Sequence, residues 1–126
     1  PLRIASRNND TAMVSMLLQG GANADHTDRY GQNLLHSVVC VSSADIVDLF
    51  IRNGADVNRQ CQVSGRLTTP LINAVRYRKA ESPEIIRLLL AAGARADVRD
   101  AAGKTALDYA REKGHTATVQ LLEATD

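Results

Sequence analysis

Ile46-Val47-Asp48-Leu49-Phe50-Ile51-Arg52-Asn53-Gly54-Ala55-Asp56-Val57-Asn58 is an apolar helical stretch that stops at a glycine and runs into a short polar turn. The same order of residue types occurs upstream, where Met13-Val14-Ser15-Met16-Leu17-Leu18 leads into Gly21-Ala22-Asn23-Ala24-Asp25. It occurs again downstream, where Ile85-Ile86-Arg87-Leu88-Leu89-Leu90 leads into Gly93-Ala94-Arg95-Ala96-Asp97, and Val119-Gln120-Leu121-Leu122 closes the chain as a further copy. A second shared element precedes each: Pro1-Leu2-Arg3-Ile4-Ala5, Asn33-Leu34-Leu35-His36-Ser37-Val38-Val39, Thr69-Pro70-Leu71-Ile72-Asn73-Ala74-Val75 and Thr105-Ala106-Leu107-Asp108-Tyr109-Ala110. Four units of this length predict a stacked solenoid, in which each unit buries its apolar face only against its neighbours.

The pattern resembles the ankyrin repeat, whose consensus runs D-x-x-G-x-T-P-L-H-x-A-A, a short turn, then an I-V-x-L-L-L helix ending in G-A-D-V-N. Its best stretches are Asp28 to His36, Ile46 to Asn58 and Asp100 to Leu122, and the resemblance covers essentially the whole chain. It implies an all-α solenoid of stacked helix-turn-helix units joined by β-turn or hairpin fingers. The units are expected at about 1–27, 28–60, 61–99 and 100–126, within a single domain over 1–126.

Composition suits that architecture. The 126 residues match one domain, and a hydrophobic content of 44% with one Phe, three Tyr and no Trp leaves small and branched aliphatics to fill the core. Close helix spacing needs such small residues on the contact faces. The formal net charge of +1 gives no global reason to expect nucleic acid or an acidic membrane surface. Cys40 and Cys61 have neither the spacing of a zinc site nor a matched position for a bridge, so reduced thiols in a cytoplasmic or nuclear protein are expected. Asn9-Asp10-Thr11 matches a glycosylation acceptor but carries no weight without a signal peptide or apolar span.

Local chemistry explains each unit. Thr69 is placed to cap a helix with its hydroxyl, and Pro70 occupies the first helical position, where its missing N–H costs nothing. Ser82 and Pro83 repeat the device, and Glu84 puts a carboxylate near the positive end of the helix dipole. Gly21, Gly54 and Gly93 sit just past their helices, where a left-handed backbone is needed. Asp28 with Gly31, and Asp100 with Gly103, match the finger turns the resemblance implies.

The third unit departs from the pattern. Asn33 to Thr69 is three residues longer than one standard unit, so the finger Arg59 to Leu67 is extended. Thr69 to Ile85 is three longer than Asn33 to Ile46, which lengthens the loop around Arg78-Lys79-Ala80-Glu81. At the start, Pro1 falls inside the Thr-Pro-Leu-His element, so Leu2 and Ile4 are expected to face outward unless something precedes them, and the chain is expected to be an excerpt of a larger protein. At the end, Thr118 replaces an apolar residue, and that polarity suits a terminal cap.

Nothing assembles into an enzyme. No triad, phosphate loop or metal spacing is present, so no catalytic residue, cofactor or metal is expected. His36 occupies the position where the resemblance implies an imidazole bonded to backbone across neighbouring units. Asp108 beside Tyr109 reads as capping rather than as an acid/base pair. His115 reads as a helix cap, and His26 as an exposed finger residue. Cys61 could be a reactive thiol beside Arg59 and Arg66, against the plainer reading of an ordinary exposed cysteine. Asn58 resembles an asparagine hydroxylated in some ankyrin proteins, though its main role is to fix the turn.

The resemblance implies a concave face of finger tips and inner helices. By register its free positions are Arg7 and Asn8; Arg29, Tyr30, Gln32, Cys40 and Val41; Arg66, Thr68, Arg76 and Tyr77; and Ala101, Ala102, Lys104, Arg111 and Glu112. Six are basic and one is acidic, a local excess in a chain with 15 basic and 14 acidic residues. The partner-binding residues expected are Arg7, Arg29, Tyr30, Gln32, Arg66, Thr68, Arg76, Tyr77, Lys104, Arg111 and Glu112, with Tyr30, Arg76 and Tyr77 as anchors. The expected function is non-enzymatic: holding an acidic protein or peptide segment, as a monomeric adaptor or scaffold module without a membrane span. The alternatives are an anionic ligand such as RNA, a nucleotide-like signal or a lipid headgroup on the same arginines, with nucleic acid disfavoured by the low charge, or a structural spacer.

Overall fold

The computed structural model describes residues 2–29, 31–63 and 66–124. The helices are α1 (Leu2–Arg7), α2 (Thr11–Gln19), α3 (Leu35–Val41), α4 (Ala44–Arg52), α5 (Pro70–Arg76), α6 (Pro83–Ala91), α7 (Ala106–Lys113) and α8 (Thr116–Glu123). They form antiparallel pairs: α1 packs on α2, α3 on α4, α5 on α6 and α7 on α8. The first members stack as an inner row, α1, α3, α5, α7, and the second members as an outer row, α2, α4, α6, α8. The fold is all-α, as its repeated pattern predicts.

Between the rows lies one continuous core of Val14, Leu35, Ile46, Phe50, Leu71, Ile85, Leu89 and Leu122, with Ala5, Ala74, Ala106 and Ala110 keeping the inner helices close. Phe50, where a leucine is more usual, is fully buried. Leu2 is also buried, against the expectation that it faces outward, because α2 and α3 cover its side of α1; Ile4 is 64% exposed as expected. Gly21, Gly54 and Gly93 adopt φ of 97°, 94° and 95°, the left-handed conformation their positions require.

Fingers join the pairs. Asp28 and Asp100 organise the short ones: each carboxylate accepts the N–H four residues on, from Gln32 and Lys104, at 3.0 Å. Gly31 and Gly103 complete these turns at φ 79° and 78°. The extended finger is a hairpin of β1 (Cys61–Val63) and β2 (Arg66–Thr68), pairing Cys61 with Thr68 and Val63 with Arg66.

Consecutive units are also tied by side chains. The Asp25 carboxylate accepts the Asp56 N–H at 3.0 Å, and one unit later Asn58 accepts the Arg95 N–H at 2.7 Å and donates to the Gly93 carbonyl at 2.9 Å. Asn58 therefore fixes the turn by bridging two units. Arg78 donates to the Val39 and Ser42 carbonyls at the end of α3, and Lys113 to the Arg76 carbonyl at the end of α5. The third and fourth units thus each cap the inner helix before them, with a cation where the dipole is negative.

Several capping expectations resolve differently. Thr69 accepts the Ile72 N–H at 3.3 Å as expected, and Thr105 with Asp108 forms a capping box. Ser82 and His115 occupy N-cap positions but make no side-chain cap. At α8 the acceptor is Glu81 from the lengthened loop, which takes both the N–H and the hydroxyl of Thr118 at 2.8 and 3.0 Å. Thr118 is accordingly buried, and this contact gives the loop insertion a structural role.

Candidate functional site

The inner row forms one wall of a groove of about 440 Å³ over α1, α3 and the end of α5. Its floor is polar and largely bonded internally, His36 Nε2 being the floor atom that is buried without a hydrogen-bond partner among the described residues. The Ser6 hydroxyl donates to the Leu2 carbonyl and the Ser42 hydroxyl to the Ser6 carbonyl, both at 2.8 Å. Asn73 Nδ2 donates to the His36 carbonyl at 3.1 Å, and the Thr68 hydroxyl donates to Asn73 Oδ1 at 2.5 Å. Cys40 Sγ donates to the carbonyls of His36 and Asn73 at 3.3 and 3.6 Å. Such a network fixes the floor before any partner arrives, so little ordering entropy is lost on binding.

The imidazole of His36 is held on its Nδ1 side by Asn33, which accepts through Oδ1 at 2.7 Å or donates through its backbone N–H at 3.2 Å according to tautomer. The Nδ1 side is thus bonded within its own unit, backbone groups of Arg59 and Thr68 act on the ring from the next finger, and the main-chain carbonyl adds a tie across units to Asn73. Burial pulls the imidazole below the ordinary histidine value, against the opposing influence of backbone groups of Asn33, Arg59 and Thr68.

The rim is asymmetric. Arg3 and Arg7 stand exposed on α1, four residues apart on one helix face, with no ion pair or hydrogen bond among the described residues. Val41 and Tyr77, 62% and 52% exposed, line the other end. Among the described residues no carboxylate lines this groove.

The remaining expected contact residues divide among other places. Gln32 lines the groove, whereas Thr68 is buried in its floor instead of projecting. Arg76 is not a free anchor. Its guanidinium lies 5.0 Å from the Tyr77 ring centre and 5.1 Å from that of Tyr109, with Nη1 3.8 Å from Asp100. Asp100 also accepts the Tyr109 hydroxyl, so this phenol pairs with Asp100 and not with its neighbour Asp108. Burial would raise the Asp100 carboxyl, but Tyr109, the Lys104 and Ala102 N–H groups and Arg76 outweigh it and lower it. Burial and the Asp100 bond push Tyr109 up to about 12.

Lys104 donates to Glu112 at 2.5 Å and lies over the Tyr109 ring, so these two expected contacts neutralise each other. Arg111 pairs with Glu123 at 3.6 Å and lines a separate cavity with Ala96 and Leu122, away from the groove. Arg29 is exposed on its finger. Tyr30 and the Arg66 side chain lie outside the described residues. Arg3 also lines the groove although it is not among the free positions the register gives; its spacing of four from Arg7 is the sequence signal for it.

Both cysteines are free thiols. Cys61 is buried in the hairpin, and burial with the nearby Asp28 charge raises its thiol, which overturns both the reactive and the exposed reading. Burial pushes Cys40 up to about 11. Among the described residues no helix is long and apolar enough to cross a membrane.

The family description "Ankyrin repeats (3 copies)" matches residues 1–61 and 38–125. The chain belongs to the ankyrin repeat family. As an ankyrin-repeat protein it is a protein–protein interaction module. It is 34% identical over 112 residues to cyclin-dependent kinase 4 inhibitor B of Bos taurus, covering 89% of this chain and 81% of that protein. It is 34% identical over 111 residues to human cyclin-dependent kinase inhibitor 2A, covering 88% and 67%. It is also 33% identical over 117 residues to the E3 ubiquitin-protein ligase hecd-1 of Caenorhabditis elegans, covering 90% of this chain but 4% of the ligase. The same kind of ankyrin segment thus stands both in relatives of similar length and as a small part of a very large one.

Proposed function

We propose that this ankyrin-repeat domain is a non-enzymatic adaptor that holds an acidic segment of a partner protein in the groove of its inner helices, as a monomer in the cytoplasm or nucleus. One observation carries the reading: among the described residues the groove of about 440 Å³ presents two unneutralised arginines and no carboxylate, while the other cations are mostly engaged internally. An anionic segment gains attraction there and meets no repulsion. Relatives named as inhibitors of a cyclin-dependent kinase support a protein as the bound species, and a protein kinase is one partner of that kind. The anionic non-protein alternative is weaker, since two free arginines beside an apolar rim fall short of the dense basic surface that nucleic acid requires.

Affinity capture tests this. The immobilised domain is compared with Arg3→Glu/Arg7→Glu and with a charge-matched outer-helix control, Arg52→Glu/Arg87→Glu, all checked for folding by circular dichroism. Groove binding predicts that captured proteins drop about tenfold or more with the first variant, persist with the second, and decline as salt rises. Equal loss with the outer-helix control contradicts it.

A further inference from the structure

We infer that the groove reads a bipartite segment of the partner, with carboxylates over α1 and one large apolar side chain between Val41 and Tyr77. The inference rests on the proposed groove function and specifies the chemistry of its occupant. The two halves of the rim differ in kind: Arg3 and Arg7 carry charge without partners, whereas Val41 and Tyr77 are exposed apolar groups at the far side.

Cations on the α5 side do not blur this division. Arg76 faces Asp100, and Arg78 and Lys113 are held by carbonyls at the ends of α3 and α5. The Tyr77 ring is further fixed by the Arg76 guanidinium stacked 5.0 Å away, so the apolar end is a preformed wall rather than a mobile side chain.

Dimensions set the length. Neighbouring packed helices lie about 8–10 Å apart, so the distance from α1 across α3 to α5 is roughly 16–20 Å. An extended chain rises about 3.3 Å per residue, so roughly six residues reach from the arginine pair to Tyr77. The occupant is therefore a short protein segment with its acidic residues grouped at one end and a Leu- or Phe-sized side chain at the other.

The test is a titration of the 15N-labelled domain with capped hexapeptides, followed by amide chemical shifts. The probes are Asp-Glu-Asp-Gly-Leu-Phe, a version with Ser in place of Leu and Phe, a version with Lys in place of the acids, and a hexauridylate. Saturable shifts are expected at Arg3, Arg7, Val41 and Tyr77 with the first peptide at millimolar or lower concentration. Loss of the apolar pair should weaken binding about fivefold or more, and both the Lys version and Arg3→Glu/Arg7→Glu should abolish it. Equal binding of the Ser version, saturation confined to the Lys104–Glu112 region, stronger binding of hexauridylate, or no saturable shift at all overturns the inference. If any of these occurs while capture remains sensitive to Arg3→Glu/Arg7→Glu, the bipartite specificity fails and the groove function stands; insensitive capture removes the groove function itself.

Discussion

Arg76 projects from the last turn of α5 between the Tyr77 and Tyr109 rings, and the carboxylate that holds it, Asp100, comes from the next finger. Asp100→Asn should therefore have two effects. Chemical denaturation should show a loss of about 1–3 kcal/mol, because the Tyr109 hydroxyl and the half-buried guanidinium lose their shared anionic acceptor. Capture through the groove should weaken as well, since Tyr77 loses its fixed neighbour. A second outcome concerns the thiols: native protein treated with iodoacetamide at pH 8 should show little alkylation of Cys40 or Cys61 by mass spectrometry, and unfolded protein rapid alkylation of both. At this scale the sequence was only partly readable. Register puts Arg76 and Tyr77 side by side at the end of α5, but which cations remain free depends on pairs such as Lys104 with Glu112 that form across elements. Cys61 reads as exposed because fingers usually are, but it is buried next to Gly31 of the preceding finger, an approach that leaves no local trace.

Helix ends show where local signals suffice and where they do not. Thr69-Pro70 and the glycines at 21, 54 and 93 act through their own backbone, so position alone revealed them. Gly54→Val forces a branched side chain into φ 94° and should destabilise by about 1 kcal/mol or more, measured by urea denaturation. Ser82 and His115 carry the right residue types at the right places but make no caps, since at α8 the job falls to Glu81 from the preceding unit. Its bonds from the Thr118 N–H hold the Glu81 carboxyl below the usual glutamate range despite some desolvation. Glu81→Ala should accordingly speed hydrogen exchange of the Thr118 amide while leaving the Val14 amide unchanged; unchanged protection at Thr118 would mean that α8 does not depend on the loop.

Over the whole stack, the repeat pattern made the architecture legible because every unit presents the same apolar face, and burial of that face against neighbours is the main stabilising term. Phe50→Ala, at the centre, should cost about 3–5 kcal/mol and loosen both adjoining helix pairs. Acid should act in two stages. The His36 imidazole has a depressed value in the folded state, so below the ordinary value of 6.5 protons bind the unfolded chain preferentially and stability declines. Asp25, Asp100 and Asp108 have lowered folded values, so the stability they add is present above the ordinary 3.8 and is lost as pH falls through and below it. Replacing His36 with Gln should flatten the upper stage in a series of thermal melts and leave the lower one.

The groove's charge balance, unlike the stack, could not be read from register, because it emerges only after internal ion pairs are subtracted. Its meaning is tested most directly by photocrosslinking in cell extract, with benzoylphenylalanine placed at Ser37 in the groove or at Arg87 on the outer row. The account predicts a protein adduct from Ser37 that disappears at about 1 M salt, where charges are screened beyond about 3 Å, and none of that protein from Arg87. Adducts formed from Arg87 alone would contradict it.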